Sequence, residues 1–269
     1  MIHKTTRSIL SVLLAALLLV TSIPLTPAFA GEEGAVSLQS ESGEGRALEP
    51  ADDGKYYIST AEQLKEFADK VNKQDQTSAN AVLTADIDLS EICGEESDSS
   101  WTPIGNEDRP YSGTFNGAGH TISGLNINNS TADYQGLFGY VSSGGIVQNL
   151  SVSGSVSGGE YVGGIVGYNS SGTVTNCAFS GTVTGTDDYV GGVVGYNSGP
   201  VKNCYNTGAV NSSGDRVGGV VGYNGGSVKN CYNTGTVTGT DDWVGGVVGV
   251  NSSSVTNCYN TGSVKGNSY

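Results

Sequence analysis

Hydrophobic and polar positions alternate in a fixed rhythm along the second half of the chain. From Gly136 onward, short valine-rich runs are separated by Gly, Asn, Ser and Thr, and the same run returns about every 27 residues. The positions that recur with this step are Asn149, Asn176, Asn203, Asn230 and Asn257, and also Cys177, Cys204, Cys231 and Cys258. A fixed period of this size indicates a repeat architecture.

The repeat predicts an all-β fold. Its Val- and Thr-rich runs are short and lack the 3.6-residue pattern of a helix. The period fits one full coil of a parallel β-helix, in which each coil buries its inward residues against like residues of the neighbouring coils. Identical positions then stack at the strand spacing of about 4.8 Å. A β-propeller is the alternative, although its blades usually run to about 40–50 residues.

One turn of the repeat accepts an insertion. Seven steps separate Gly154 from Tyr161, whereas eight separate Gly181 from Tyr189, and the motifs on either side are unchanged. Because an extra residue is tolerated there without disturbing its flanks, we expect this turn to lie at the surface.

The residues before the repeats predict a helix that covers the N-terminal end of the β-helix. Thr60 and Gln63 have the spacing of a capping box, which marks the start of a helix. The apolar stripe that follows consists of Leu64, Phe67, Ala68 and Val71. This helix is expected from about Thr60 to Val71. A strand is expected over 81–89, and short strands separated by glycine turns over 113–127.

The chain begins with the pattern of a secretory signal peptide. Lys4 and Arg7 precede an apolar run, and Ala28-Phe29-Ala30 provides a small-residue cleavage site. A retained membrane anchor is the alternative. After cleavage, no later stretch reaches the roughly 20 apolar residues of a transmembrane helix. We therefore expect a secreted or cell-surface protein.

Four regions follow from these patterns. Residues 31–54 are acidic and rich in Ser and Gly, so they have too little to bury to fold on their own. The predicted organisation is a signal peptide over 1–30, a disordered acidic linker over 31–54, an N-terminal cap with the first coils over 55–135, and the repeat β-helix over 136–269.

Charge is distributed unevenly along the chain, whose formal net charge is −14. Twenty acidic and six basic residues lie within 31–135, against six and four within 136–269. An acidic surface of this kind argues against nucleic acid or an anionic membrane as a partner, because both require a basic surface.

The repeated motif resembles that of a known family. "QGLFGYV" at 135–141, followed by "VGGIVGYN" and "VGGVVGYN", resembles the GLUG motif, which bacterial surface proteins, adhesin-like proteins and immunoglobulin-A-specific metalloendopeptidases carry in arrays. The resemblance implies a right-handed, pectate-lyase-like β-helix on a secreted or surface protein. The peptidase activity does not carry over, because His120 is followed by Thr-Ile-Ser instead of the Glu-x-x-His of a zinc site, and the mature chain has no other histidine.

Residues able to perform acid–base chemistry are few in the repeats. The acids of the insertion-tolerant turn are Asp187, Asp188, Asp215, Asp241 and Asp242. We expect them to cap their own backbone, which is the usual role of aspartate in a turn; weak calcium binding is the alternative. His120 is expected to be a hydrogen-bonded turn residue. Neither a catalytic residue, nor a metal site, nor a cofactor is predicted.

Two columns are expected to be structural. Cys177, Cys204, Cys231 and Cys258 are predicted to form one buried column of inert thiols about one strand spacing apart. Disulfides between neighbours are the alternative, because that spacing lies within the usual Cα range. Asn176, Asn203, Asn230 and Asn257 are predicted to bond from coil to coil through their side-chain amides. The columns of Val162 and of Tyr196 should align in the same way.

One column is a candidate binding site. Tyr161, Tyr189, Arg216 and Trp243 occupy the position just before each "VGG". Such a column could hold the faces of sugar rings or a partner protein, or it could only stabilise adjacent strands. The leading hypothesis is a non-enzymatic, adhesin-like binding or display module whose partners are glycans or host and cell-surface proteins. A carbohydrate-active enzyme and a passive spacer are the alternatives.

The last repeat stops before another "VGG" strand, and the sequence shows no capping segment there. Because solenoids need a cap at each end, we expect an open C-terminal end. Such an end would either continue into a longer chain or associate with a partner or a second copy.

Overall fold

The computed structural model describes residues 47–94 and 100–267, and these fold as a parallel β-solenoid of eight coils. The predicted signal peptide lies outside the described residues, as does the predicted linker up to residue 46. Within the described ranges α1 (Ala61–Lys73) is the only helix, and it falls short of the length and hydrophobicity needed to cross a bilayer.

The first coils combine this helix with strands of unequal length. The strands are β1 (Lys55–Ile58), β2 (Asn80–Leu83), β3 (Ile87–Asp88), β4 (Thr114–Asn116), β5 (Thr121–Asn128), β6 (Phe138–Val141) and β7 (Ile146–Gly158). The expected strand over 81–89 is therefore two strands, β2 and β3, because the chain turns a corner between them. The expected short strands over 113–127 are β4 and β5, which are separated by a turn at Ala118 and Gly119, both with positive φ.

The repeated coils have a constant order of strands. They comprise β8 (Val162–Gly163), β9 (Val166–Asn169), β10 (Thr173–Gly185), β11 (Val190–Gly191), β12 (Val194–Asn197), β13 (Pro200–Lys202), β14 (Tyr205–Asn206), β15 (Ala209–Ser212), β16 (Val217–Gly218), β17 (Val221–Asn224), β18 (Ser227–Lys229), β19 (Tyr232–Asn233), β20 (Val237–Gly239), β21 (Val244–Gly245), β22 (Val248–Asn251), β23 (Ser254–Thr256), β24 (Tyr259–Asn260) and β25 (Val264–Lys265).

Three parallel sheets run the length of the repeats. One has four strands (β8, β11, β16 and β21), one has five (β6, β9, β12, β17 and β22), and the remaining strands form a long sheet that bends around the coil. Val190 pairs with Val162 and with Val217, and Tyr196 pairs with Tyr168 and with Tyr223. Equivalent residues thus lie side by side, which confirms that each repeat forms one coil of a parallel solenoid.

The helix packs against the interior of the first coils. Thr60 is its N-cap, and the Thr60 hydroxyl accepts a hydrogen bond from the Gln63 amide at 3.3 Å. Leu64, Phe67 and Val71 are fully buried, and the ring of Phe67 lies against other aromatic rings of the first coils. The apolar stripe therefore predicted both the helix and its buried face correctly.

The residues just before β1 are folded, which shortens the predicted linker. The side chain of Leu48 is only 4% exposed, and its amide donates to the carboxylate of Glu66 on α1 at 2.9 Å. A single leucine and one backbone hydrogen bond fix a segment that composition alone marks as disordered.

Both glycines of each "VGG" are required by close packing. A Cβ on Gly191 would collide with the carbonyl oxygen of Val194, which belongs to the next strand of the same coil. A Cβ on Gly192 would enter the space filled by the Asn206 side chain. The first glycine thus lets the backbone turn tightly, and the second makes room inside the coil for an amide. Equivalent collisions occur in the neighbouring repeats, except that the ring of Phe179 takes the place of the amide beside Gly164.

Candidate binding face

The column before each "VGG" lies on the outer surface at a corner of the coil. Its members are Tyr134, Tyr161, Tyr189, Arg216 and Trp243, and all five have φ between 56° and 62°. A left-handed residue interrupts the in–out alternation of a strand, so these side chains leave the coil while the neighbouring valines enter it. The tyrosines and Arg216 are partly buried, and Trp243 is 45% exposed. Tyr134 extends the predicted column by one coil.

A second aromatic column runs beside the first. It consists of Tyr140, Tyr168, Tyr196 and Tyr223, from the five-stranded sheet, and all four are partly buried. Its rings stack at centroid distances of 4.6 to 4.8 Å. Tyr161 meets Tyr168 edge to face at 5.1 Å, and Tyr189 meets Tyr196 in the same way at 5.4 Å. The two columns together form what we call the tyrosine face.

Ring stacking within the first column argues against the interpretation that this column holds the faces of sugar rings. Tyr161 lies between Tyr134 and Tyr189, with centroids 5.0 and 5.1 Å away and ring planes within 9° of parallel. The faces of its ring are therefore in contact with neighbouring rings. A sugar that needs an open ring face has no room between these members of the column, which offer mainly ring edges and hydroxyl groups.

In its coil, Arg216 occupies the position of the first column that the other coils fill with an aromatic residue. Its guanidinium carbon lies 4.8 Å from the centroid of Tyr189 and 4.9 Å from that of Trp243. Its Nη1 also forms an ion pair with the carboxylate of Asp188 from the preceding coil. A planar cation is thus held by two aromatic rings and one carboxylate at a position that other coils fill with tyrosine.

An acidic residue precedes every member of the first column, and we call this set the acid row. It consists of Asp133, Glu160, Asp188, Asp215 and Asp242. The carboxylate of Asp188 accepts from the Asp215 amide at 2.9 Å, and that of Asp215 accepts from the Asp242 amide at 3.0 Å. The expectation that these acids cap their own backbone is therefore wrong for Asp188 and Asp215, because their acceptors reach the next coil.

The environment of the face raises the pKa values of Glu160 and Tyr168. Burial raises the pKa of Glu160, and the nearby carboxylates of Asp133 and Asp187 raise this pKa further, against a hydrogen bond to Tyr161 that lowers it. Burial together with the adjacent tyrosines raises the pKa of Tyr168 to about 12. The Tyr168 hydroxyl therefore remains a protonated donor at neutral pH.

The four ladder cysteines lie in one column inside the solenoid. Cys177, Cys204 and Cys231 are fully buried, whereas Cys258 is partly exposed. The backbone amide of Cys204 donates to the sulfur of Cys231 at 3.4 Å, so this hydrogen bond joins neighbouring members of the column. Burial raises the pKa of Cys204 far above its usual range. All four thiols are free. The column is thus buried over its first three members, and the inertness of its thiols stays a prediction.

The predicted asparagine column is an exposed hydrogen-bonded ladder. Asn176 donates to Asn149 at 2.9 Å, Asn203 donates to Asn176 at 2.9 Å, and the series continues through Asn230 and Asn257. Each of these asparagines has φ between 53° and 55°, as is common for asparagine at a corner. The ladder stabilises the corner and leaves little for a ligand.

Two further asparagine ladders lie inside the coils, and the sequence interpretation missed them; they are buried except at their last members, Asn251 and Asn260. One joins Asn169, Asn197, Asn224 and Asn251, and the other joins Asn206, Asn233 and Asn260, through amide bonds of 2.8 to 2.9 Å. Asn169 begins the first ladder opposite Val141, and its Oδ1 therefore has no partner among the described residues. The 27-residue step was a usable signal, but it did not reveal which asparagines point inward.

Groups suited to catalysis are dispersed in the described part of the chain. His120 hydrogen-bonds through Nδ1 to Asp86 at 3.1 Å in the turn between β4 and β5, as expected for a hydrogen-bonded turn residue. No group of three or more His, Cys, Asp or Glu side chains in residues 47–94 and 100–267 is arranged to hold a metal ion. The tyrosine face is thus the best candidate site.

Comparison with known proteins agrees with this architecture. The GLUG motif matches residues 158–184, 188–211, 213–238 and 244–265, which cover one coil each. Residues 158–265 are an array of GLUG repeats. The earlier "QGLFGYV" lies outside the matched ranges, although β6 within it pairs in register with β9.

Two curated proteins and one solved structure are similar to the chain. Halomucin of Haloquadratum walsbyi is 41% identical over 95 residues, which are 32% of this chain and 1% of halomucin. A protein of Evansella cellulosilytica, named as a candidate Gly-rich membrane protein, is 35% identical over 99 residues, which are 37% of this chain and 11% of that protein. The GLUG-repeat chain therefore spans only a small part of these relatives.

The solved structure is that of a candidate immunoglobulin A1 protease from Bacteroides ovatus. It aligns with a TM-score of 0.58 and 22% identity over 81% of this chain and 79% of that one. At this identity the likeness shows the fold alone.

Proposed function

We propose that this chain is a non-enzymatic binding module of an exported, cell-surface repeat protein, and that it binds its partner through the tyrosine face. The observation that carries the proposal is this partly exposed aromatic surface, which continues over five coils beside the acid row. Tyrosine supplies a large contact area and a polar hydroxyl at low entropic cost, and it is enriched at protein interfaces for that reason.

The wider context supports a position outside the cell. The sequence begins with a signal-peptide pattern, and the names of both relatives refer to a mucin-like or a membrane protein. An adhesin-like role follows if the solenoid holds the face away from the cell surface. A sugar lyase or hydrolase needs acidic and basic side chains gathered at one site. In the described residues these side chains are dispersed, which favours binding over catalysis.

A polypeptide suits the tyrosine face better than a sugar chain does. Carbohydrate-binding sites commonly place a sugar ring against an open aromatic face, whereas Tyr161 and Tyr189 have their ring faces covered by neighbours. Ring edges, hydroxyls and carboxylates in a flat array instead match the mixed polar and apolar surface of a protein.

The experiment is a binding screen of the exported protein against glycans and against purified surface proteins, together with a polysaccharide depolymerisation assay. We expect binding to a protein partner and no depolymerisation. Replacing Tyr161, Tyr168 and Tyr196 together by Ser should remove that binding.

The matched control replaces Tyr205 and Tyr232 by Ser, because these residues form a separate stack, with centroids 4.8 Å apart, on the long sheet. Depolymerisation by the wild-type protein would refute the non-enzymatic proposal. Equal loss of binding in both variants would assign the effect to general destabilisation and not to the tyrosine face.

A further inference from the structure

Charges in the repeated coils are segregated between two aromatic surfaces. The six acidic side chains of residues 136–269 all lie in the turn beside the tyrosine face: Glu160, Asp187, Asp188, Asp215, Asp241 and Asp242. The separate stack of Tyr205, Tyr232 and Tyr259 instead follows the paired lysines Lys202 and Lys229. One chain thus carries two tyrosine stacks with opposite charges next to them.

Most of the negative charge beside the tyrosine face is uncompensated. Within residues 47–94 and 100–267, Asp188 is the one member of the acid row that forms an ion pair, and its partner is Arg216. Asp133 and Asp215 accept backbone amides of the next coil, and Glu160 is hydrogen-bonded to the neutral side chain of Tyr161, so none of these three is paired with a cation. The face therefore combines aromatic rings with a row of carboxylates, which is complementary to a partner that carries planar cations.

Arg216 shows within the molecule how such a cation is held. Its guanidinium lies against the rings of Tyr189 and Trp243 while it pairs with Asp188. An arginine can make both contacts at once, because its group is planar and weakly hydrated, whereas a lysine ammonium is a compact and strongly hydrated charge. Cation–π contacts of arginine add to the ion pair.

On these grounds we infer that the tyrosine face binds arginine side chains of a partner polypeptide, through ion pairs with the acid row and hydrogen bonds to the tyrosine hydroxyls beside it, which the planar guanidinium with its five donors can make together. This inference rests on the proposed binding function and names the chemistry of the partner. The neighbouring coils repeat the same groups at the strand spacing, so several arginines of one partner can be held along the face.

The test uses the exported protein and fluorescent peptides of alternating arginine and glycine, with lysine and citrulline counterparts, in anisotropy titrations at physiological salt. We expect the arginine peptide to bind about fivefold more tightly than the lysine peptide, because its planar group can donate to a carboxylate and a hydroxyl together, and the citrulline peptide not to bind. Glu160→Gln with Asp215→Asn should weaken binding of both cationic peptides by about tenfold.

Variants of the rings separate arginine recognition from simple charge attraction. Tyr161→Leu with Tyr168→Leu should remove the preference for arginine over lysine, whereas Tyr205→Leu with Tyr232→Leu should keep it. In Arg216→Ala, the space between Tyr189 and Trp243 is opened to the peptide. This variant should bind both cationic peptides more tightly, because Asp188 loses its ion-pair partner, and the arginine peptide should gain more than the lysine peptide, because only its guanidinium can fill the space between the two rings.

Equal affinity for arginine and lysine peptides, or a preference that survives the tyrosine-face variants, would overturn the inference. If the wild-type protein also binds a surface protein or a glycan in the screen above, the binding function stands and only the arginine chemistry is wrong. If it binds nothing in either experiment, both proposals fail.

Discussion

The first coils and the repeated coils fill their interiors in different ways. In the first coils the interior holds large side chains that each occur once, and the rings of Phe67, Tyr111, Phe115 and Phe138 pack with centroids 5.2 to 6.2 Å apart. In the repeated coils the interior consists mainly of columns of like valines, cysteines and asparagines, with Phe179 at the start of one asparagine column. The first kind of core defines where the solenoid begins, and the second allows it to continue.

The difference also shows how register is fixed. Valine columns tolerate a small slip, because one valine packs on another almost equally well. A slip would separate Asn197 from Asn224, or Asn206 from Asn233, and leave buried amides without partners. Because an unpaired buried amide costs about 1–3 kcal/mol, the buried ladders penalise every misaligned coil. The first coils achieve the same end through the shapes of unique side chains.

The largest effect is expected from breaking the unique core. Leu64→Asp with Phe67→Asp introduces two charges where the helix covers the first coil, and we expect loss of the cooperative melting transition or aggregation. The measurement is thermal unfolding followed by circular dichroism, together with size-exclusion chromatography. Lys65→Asp is the matched control, because it places the same charge on the exposed side of α1. An unchanged melting temperature in the double variant would mean that the helix contributes nothing to the solenoid.

A smaller effect is expected from breaking one rung of a buried ladder. Asn197→Ala removes a fully buried amide that bonds to Asn169, to Asn224 and to the Gly199 backbone, and it should lower the free energy of unfolding by about 2–3 kcal/mol. Asn203→Gly is the control in the exposed ladder, where water replaces the lost bonds and glycine accepts the positive φ. It should cost less than about 1 kcal/mol. Equal losses in urea denaturation would contradict the role given to burial.

Removal of one whole repeated coil is expected to change stability less still. Deleting residues 204–230 joins Asn203 to Cys231. Because Cys231 occupies the same position as Cys204 one coil further on, every ladder stays in register. We expect a native β-sheet spectrum and a melting temperature only a few degrees lower. Deleting residues 204–217 removes half a coil and should unfold the segment that follows. If both deletions behave alike, the coils are not interchangeable units.

The repeated coils could be predicted from the sequence far better than the side-chain directions within them. The step between Cys177 and Cys204 gave the coil and its register, because each coil is the template for the next. The same step occurs in the exposed ladder of Asn203 and in the buried ladder of Asn206, and it cannot distinguish them. What separates them is the left-handed conformation of Asn203, which breaks the alternation of the strand.

The tyrosine face escaped full prediction for the same reason. Tyr161 was identified, but its outward direction depends on a positive φ at a corner, and the neighbouring Tyr168 lies in a motif that is apolar on both sides. In the first coils, the burial of Leu48 depends on a contact with α1 that no local pattern encodes.

The smallest expected effect, and the finest test of the comparison, is the titration of the tyrosines. Burial raises the pKa of Tyr168 on the tyrosine face to about 12, and it raises the pKa of Tyr111 in the unique core even further. Both hydroxyls are thus neutral in the folded protein at a pH where an unfolded tyrosine, with a pKa near 10, is ionised. The stability that they contribute is complete below about pH 10 and is lost as the pH rises through the folded values. The phenolate absorbance of Tyr168 should therefore rise near pH 12, and that of Tyr111 only when the chain unfolds. Tyr168→Phe should remove the absorbance change near pH 12, and ionisation of Tyr168 and Tyr111 near pH 10 in the folded protein would contradict the packing described for both regions.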